Sequence, residues 1–307
     1  MTFSRRYYKA ALGVLLLALV ALTGCGASGS TSGKPGSGVT ITVGSKNDAD
    51  SQLLGSMYAL LLQNQGFTVN QKIPLGQTPV LDSAIKSGAI DLYPEFTGTA
   101  LTVYKLPATQ DPQKAYQEVS SYYESTFKIT WLTPAYGLND SYCISTSQAN
   151  AAKYNLSTLD DLVAQSGKLV LAEQQDGVDA AQHPVEQGYG ITFKDTKLLQ
   201  SEALTFSAVT KGDADLNVCY TTDPSIQANN FVQLKDTKGV FPNYNPAPIV
   251  RDSVLTKSPV IKTTLDELSA KLTTDEIVKL IKMVSVDHQK PLAVAKTWLQ
   301  SQGLLPK

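Results

Sequence analysis

Ala84-Ile-Lys-Ser-Gly-Ala-Ile-Asp-Leu-Tyr-Pro-Glu-Phe-Thr97 is matched 124 residues later by Ala208-Val-Thr-Lys-Gly-Asp-Ala-Asp-Leu-Asn-Val-Cys-Tyr-Thr221. Identities fall at Ala84/Ala208, Gly88/Gly212, Asp91/Asp215, Leu92/Leu216 and Thr97/Thr221, and Phe96 falls on Tyr220. Each copy reads as a helix stopped by glycine, a tight turn, a short strand, then an aromatic and a hydroxyl at the strand's carboxyl end. Ligands of open α/β sheets sit beyond the carboxyl ends of strands. Two such units, one per lobe, would present Phe96 and Tyr220 to one shared cleft. A helix-glycine-aspartate-strand connection is also common in α/β chains, so a chance match is the alternative.

The flanking pattern supports an α/β fold. Val39–Gly44 alternates and ends in glycine, as a strand does. Leu53, Leu54, Met57, Leu60, Leu61 and Leu62 recur at helical spacing over 51–65, and Gly66 stops that helix. Phe67–Ile73 reads as a strand, Pro79–Gly88 as a short helix and Ile90–Tyr93 as a third strand. This βαβ rhythm predicts a mainly parallel sheet. It returns at Lys168–Ala172 and Leu216–Tyr220. Three helices are expected over 259–269, 274–286 and 291–300. Thr273 with Glu276 suggests a capping box, and Pro291 suits a first helical turn.

Residues 1–25 read as an export signal. Arg5, Arg6 and Lys9 precede an apolar run from Ala10 to Leu22, which is too short for a comfortable membrane span. Leu22-Thr23-Gly24-Cys25 resembles a bacterial lipoprotein site, with Cys25 acylated. Ser4-Arg5-Arg6 matches a twin-arginine signal only loosely. Gly26 to Gly38, built of Gly, Ser, Ala, Thr, Lys and Pro, reads as a flexible tether. The folded part is then expected from about Val39, at the outer face of a membrane.

Composition excludes several classes. The formal net charge of −1 offers no electrostatic footprint for nucleic acid. Two His, no Cys-x-x-Cys and no His-x-His argue against a transition-metal site, and no cofactor is implied. Tyr, at 14, far outnumbers Phe and Trp. With Cys25 assigned to the anchor, Cys143 and Cys219 remain as a disulfide or as two buried thiols.

Five segments run in order: Gly44-Ser45-Lys46-Asn47; Asp91-Leu-Tyr-Pro-Glu-Phe-Thr-Gly-Thr99; Thr133-Pro-Ala-Tyr-Gly-Leu-Asn139; Tyr220-Thr-Thr-Asp223; and Phe241-Pro-Asn-Tyr-Asn-Pro-Ala-Pro248. Together they resemble the osmoprotectant class of ABC-transporter substrate-binding proteins, over essentially the whole mature chain. That resemblance implies a type II periplasmic-binding-protein-like fold, with the ligand between two lobes. It implies lobe one at 39–138 and 245–307 and lobe two at 139–244, with crossings near Leu138-Asn139 and Tyr244-Asn245. It implies a monomer that hands its ligand to a permease. It also implies an aromatic cage for a quaternary ammonium, carried onto Phe96, Tyr142, Tyr220 and Tyr244. Such a cation has no N–H to donate, so aromatic faces recognise it. Thr78 and Thr99 become candidates for the ligand's polar end, as do Gln52 or Ser51, where the register is ambiguous.

Three departures qualify the resemblance. Phe96 stands where the family usually has Tyr. Asp140 stands where several relatives carry Asn, and would add a charge beside the cation. Some betaine binders place an Arg on the ligand carboxylate, but Asp176-Gly-Val-Asp-Ala-Ala181 offers none. Choline or another ligand read through a hydroxyl or a larger tail is therefore favoured over glycine betaine; carnitine and ergothioneine are alternatives. If Tyr142 and Tyr220 line one small site, the adjoining Cys143 and Cys219 point away from it, and a disulfide between them is expected. An enzyme is not expected: no Gly-x-Ser-x-Gly elbow occurs, and neither His183 nor His288 has an evident nucleophile. An adhesion lipoprotein would instead call for large exposed apolar or charged patches.

Overall fold

Gly88 (φ 80°, ψ 14°) and Gly212 (φ 78°, ψ 13°) end the helices Thr78–Ser87 and Glu202–Lys211 in nearly the same left-handed conformation. These values come from a computed structural model that describes residues 33–174 and 178–307. A side chain at either position would be strained. Beyond each glycine an aspartate makes the same pair of bonds. Asp91 N–H donates to the Thr42 carbonyl (2.8 Å), and Asp91 Oδ2 accepts from Thr42 N–H (2.8 Å). Asp215 N–H donates to the Val170 carbonyl (2.8 Å), and Asp215 Oδ2 accepts from Val170 N–H (2.9 Å). The internal repeat is therefore structural: each aspartate ties an incoming strand to its parallel neighbour.

The strands are β1 (Thr40–Gly44), β2 (Thr68–Lys72), β3 (Leu92–Phe96), β4 (Ile129–Trp131), β5 (Tyr142–Ser147), β6 (Val170–Gln174), β7 (Asp195–Leu199), β8 (Leu216–Tyr220), β9 (Phe231–Gln233) and β10 (Pro246–Arg251). They form two five-stranded sheets, ordered β2-β1-β3-β10-β4 and β7-β6-β8-β5-β9. One sheet thus draws on 40–131 and 246–251, the other on 142–233.

Each sheet is mainly parallel, as expected, but mixed: one strand, β10 or β5, runs against the other four. β2-β1-β3 and β7-β6-β8 run parallel, but β10 is antiparallel to β3 and β4, and β5 to β8 and β9. The chain's path explains this. β3 and β8 end at the segments that pass between the lobes. A strand that begins at such a crossing must run the other way. Sequence periodicity registers each strand but not the lobe from which it arrives.

β3 begins and ends later than the expected 90–93. Its start is delayed because Ile90 N–H still caps the preceding helix at the Ala84 carbonyl (3.2 Å). Its end passes through Pro94, which faces Pro248 across the antiparallel pair. Two prolines opposite one another leave no unmatched donor between them, so Pro94 does not break this strand.

The helix Ala49–Asn64 starts at Asp48, whose side chain accepts from Ser51 N–H (3.1 Å). It is buried on most sides, among Leu265, Ile277, Val294, Trp298 and Leu299 of the C-terminal helices. Those helices span Val260–Ser269, Thr274–Ser285 and Pro291–Ser301. The Thr273 hydroxyl caps Glu276 N–H (3.3 Å) as expected, but Glu276 turns its carboxylate to Lys279 and Trp298 Nε1.

Lys34–Lys307 forms one compact unit. Its first turn lies inside the stretch expected to be a tether: Gly36 is buried, and its N–H donates to the Gln65 carbonyl (2.9 Å). A Cβ on Gly36 would stand 2.5 Å from the Phe67 ring, so glycine lets these two chains meet. The expected signal, Cys25, and the first seven residues of the tether lie outside the described residues. Among the described residues, no helix is long and apolar enough to cross a membrane.

The paired aspartates make a direct test. Asp215→Ala strands the Val170 N–H and the Tyr154 hydroxyl, which bonds the same carboxylate at 3.0 Å. Asp91→Ala strands Thr42 N–H and loses the Arg251 ion pair. Each is expected to lower unfolding free energy by about 1–3 kcal/mol in urea titrations.

Candidate functional site

Two short segments, 138–141 and 243–246, pass between the sheets side by side. Asp140 N–H donates to the Tyr244 carbonyl (3.1 Å), Tyr244 N–H to Asn139 Oδ1 (2.8 Å) and Asn245 Nδ2 to the Leu138 carbonyl (2.7 Å). The final threonine of each repeat grips this pair. Thr97 Oγ1 donates to the Asn243 carbonyl (2.9 Å), and Thr221 Oγ1 to the Asn139 carbonyl (2.8 Å).

The aromatic that precedes each threonine is thereby delivered to the crossing. Tyr142 and Tyr220 stand opposite one another on β5 and β8. Their ring centroids are 4.8 Å apart at 36°, and Tyr220 donates its hydroxyl proton to the Tyr142 oxygen (3.1 Å). The Tyr244 ring meets Tyr142 edge-on, 5.8 Å away at 85°. Gly98 makes room for it, since a Cβ there would lie 2.5 Å from the Tyr244 ring. Phe96 and Tyr244 are buried in one apolar cluster, and Tyr142 packs on it as well as on a cluster of the other lobe. Three rings from three separate segments therefore converge, with Phe96 in the same packed group. A cavity of about 520 Å³ lies beside the crossing and is lined by Tyr142, Asn139, Phe241, Gln110 and Asp236 among others. It shares Tyr142 with the rings but not Phe96, Tyr220 or Tyr244.

The next register pair is Cys143 with Cys219, joined by a disulfide. These side chains lie in a cluster with Ala172, Phe206 and Phe231, away from the aromatic group. The other predicted residues are less gathered. Asp140 is half-buried, and its Oδ1 accepts from Thr222 Oγ1. Thr78 opens the helix Thr78–Ser87, and Thr99 lies in the first turn of Thr97–Val103; both are half-buried. Gln52 donates its amide to the Asn47 carbonyl (2.6 Å), just before its own helix cap Asp48. Ser51 is buried on the same helix. The stretch expected to lack the carboxylate-binding Arg begins with residues 176–177, which are outside the described residues.

Lys46 was legible only as part of a motif. It is buried and ion-paired with Glu95, and its Nζ lies 5.1 Å from the Phe96 ring centroid. Glu95 also accepts from the Tyr93 hydroxyl (2.9 Å) and the Phe96 N–H (2.7 Å). A lysine just past the alternating Val39–Gly44 segment and a glutamate among apolar residues before Phe96 were the available signal.

Residues 39–301 match the family described as the substrate-binding domain of ABC-type glycine betaine transport systems. The chain belongs to this family. It is 31% identical over 277 residues to the glycine betaine-binding protein YehZ of Escherichia coli, covering 86% of this chain and 90% of YehZ. It is 30% identical to the carnitine transport binding protein OpuCC of Listeria monocytogenes, covering 86% and 87%. A solved structure of apo YehZ superposes with a TM-score of 0.72 at 29% identity, over 87% of this chain and 99% of that one. The ergothioneine transport permease and binding protein EgtU of Helicobacter pylori is 27% identical over 86% of this chain and 48% of its own length. Members of this family are extracytoplasmic substrate-binding proteins of transporters.

In this family member the crossing is surrounded by carboxylates. Burial pushes Asp50 well above the usual carboxylate range, and the neighbouring Asp48 and Asp140 push it further. Burial also lifts Asp140, to about 6, against the hydrogen bonds from Thr222 and Asp50. Glu202 lies behind Tyr220, accepting weakly from its N–H (3.4 Å). Burial and the hydrogen-bonded Asp223 raise it to about 9. Glu202 therefore holds a proton at neutral pH in the folded chain but not in the unfolded one. Its stabilising contribution is complete below its unfolded pKa and is lost as pH rises through about 9. Thermal unfolding from pH 6 to 9 should show the wild type losing melting temperature relative to Glu202→Gln. The gap expected at pH 9 is at least about 2–4 °C, roughly what 1 kcal/mol produces in a chain of this size.

Proposed function

We propose that this protein captures a quaternary-ammonium compound between its lobes, at the Phe96, Tyr142, Tyr220 and Tyr244 rings, and delivers it to the permease of an ABC importer. The convergence of Tyr142, Tyr220 and Tyr244 on the two crossing segments is the observation that carries this reading. Closure about those segments would bring ring faces from both lobes onto one cation. Each face contributes about 0.5–2 kcal/mol, most where water is excluded. Phe96 supports cation contact without a hydroxyl, and the Lys46 ammonium already lies near its ring. The protein acts by binding and release, as a monomer held at the outer membrane face by a lipid on Cys25.

Choline is the ligand that the local charge favours. A betaine carboxylate needs a cation, and the buried Lys46 is already paired with Glu95. Asp140, ionised above about pH 6, would repel a betaine carboxylate. Carnitine or ergothioneine remains the alternative ligand: a longer tail would carry its carboxylate away from these groups.

Calorimetric titration of choline, glycine betaine, carnitine and ergothioneine tests the reading. Choline is expected to bind most tightly. Phe96→Ala, Tyr142→Ala, Tyr220→Ala and Tyr244→Ala should each weaken it about 2–30-fold. Gly98→Ala should weaken it as well, by displacing the Tyr244 ring. Binding that none of the five variants alters, or none for any of the four compounds, would contradict the cage.

A further inference from the structure

Away from the crossing segments, Thr109 and Gln110 join one sheet's side of the molecule to the other. They immediately precede the helix Pro112–Phe127, which Asp111 caps at Gln113 N–H (2.9 Å) and Lys114 N–H (3.1 Å). That helix packs on the first sheet. The Tyr116 hydroxyl donates to the Trp131 carbonyl of β4 (3.1 Å), and Val119 and Tyr123 are buried with Trp131. Gln110 nevertheless bonds to the segment that follows β9 of the second sheet. Its Nε2 donates to the Phe241 carbonyl (3.1 Å) and, more weakly, to Asp236 Oδ2 (3.4 Å). The Thr109 carbonyl accepts from Asn243 N–H (3.2 Å). Gly239 makes room for this approach: its φ is 73°, and a Cβ there would stand 2.5 Å from Gln110 Oε1.

The receiving loop is held by its own lobe. Asp236 Oδ1 accepts from the Tyr189 hydroxyl (2.7 Å) and Gly239 N–H (2.9 Å), and its Oδ2 from Phe241 N–H (3.1 Å). The Tyr189 oxygen accepts in turn from Thr237 N–H (2.9 Å) and Lys238 N–H (3.0 Å). Leu234 and Phe241 are buried in the apolar cluster of that lobe. Each half of the contact is thus fixed to its own sheet, and the connection between the halves is the weak one. Gln110 is exposed, and such hydrogen bonds are worth little net, so they can break and reform.

The contact lies on the face of the crossing opposite the rings. In extended backbone, successive side chains point to opposite faces. Asn139, Ser141 and Cys143 line the cavity beside the crossing, together with Thr221 and Asn243; Gln110 and Asp236 line the same cavity. The residues between them turn the other way. Asp140 meets Thr222, and Tyr142 meets Tyr220 and Tyr244. Tyr142 alone of the ring group also borders the cavity.

We propose that Gln110 is a latch behind the crossing, which must release before the lobes close over a ligand. It is a positioning residue that sets affinity without touching the ligand. This rests on the reading of closure at the rings and adds a control that the rings alone do not imply. With the crossing segments as pivot, motion that brings the lobes together over the rings parts them on the opposite face. Each closure therefore breaks the bonds of Gln110 and Thr109. A protein binds with its intrinsic affinity reduced by the fraction of molecules in the competent state, so weakening the latch tightens binding from a distance. A merely structural Gln110 has the opposite sign: its loss would loosen the fold and weaken binding or leave it unchanged.

The test is calorimetric titration of choline chloride into wild type, Gln110→Ala and Gln110→Glu, with glycine betaine, carnitine and ergothioneine as further probes. Gln110→Ala removes the donor and should bind choline about 2–10-fold more tightly than wild type. Gln110→Glu sets a carboxylate against Asp236 and the Phe241 carbonyl. It should tighten binding at least as much, with a gain that shrinks in high salt. The position is exposed, and both ligand-free variants should keep the wild-type circular dichroism. Unchanged or weaker binding in folded Gln110→Ala and Gln110→Glu, with the ring variants still impaired, would overturn the latch and leave the cage standing. Tighter binding in both, with the ring variants unimpaired, would uphold the latch and overturn the cage. Binding of none of the four probes would overturn both.

Discussion

Every covalent link between the two lobes runs through 138–141 and 243–246, and the hydrogen bonds between these segments fix what can happen around them. Asn139 and Asn245 join one segment to the other, while Thr97 and Thr221 hold them from opposite sides. The strands ending at those threonines are thereby locked to the crossing. So are the aromatics immediately before them, Phe96 and Tyr220. Tyr142 and Tyr244 lie on or beside the crossing segments themselves. The grouping of these rings is thus a by-product of where two similar βα units meet. The closure proposed above would move whole lobes without dispersing the rings, because each ring lies at the crossing rather than at a lobe's periphery.

The electrostatics follow from the same place. Burial withholds water from Lys46, Glu95 and Asp50, and it crowds Asp140 although that residue keeps some exposed surface. Lys46 and Glu95 satisfy one another. Asp50 keeps its proton well above the usual carboxylate range, because an isolated charge in such surroundings is costly. In the proposed reading, aromatic faces supply the contact to a cation that hydrogen bonds cannot. The disulfide sits one residue behind Tyr142 and Tyr220, so β5 and β8 are cross-linked where the two tyrosines must stay in register.

Much of this was legible in the sequence, for identifiable reasons. Helix-stopping glycines, apolar spacing over 51–65 and the capped C-terminal helices are local signals, and each reappears close to its expected place. The offset match between 84–97 and 208–221 anticipated a structural equivalence down to the bonds of Asp91 and Asp215. Strand direction was not legible, because β5 and β10 take theirs from the chain's passage between lobes. The Pro94 strand was misjudged for a related reason: the tolerance of that proline depends on Pro248, some 150 residues away. The carboxyl cluster also escaped notice, since Asp48, Asp50 and Asp140 approach only when the folded helix start meets the crossing. In the sequence Asp48 and Asp50 look like solvated residues of a helix cap.

The central claim is that the rings at the lobe crossing hold the ligand's cation. A crystal structure of the protein grown with choline tests it most directly. The account predicts a trimethylammonium group bounded by Phe96, Tyr142, Tyr220 and Tyr244, its nitrogen within about 6 Å of the ring centroids, with Asp140 nearby. Choline bound elsewhere, such as in the cavity lined by Gln110 and Asp236, with these four rings still packed on one another, would contradict it.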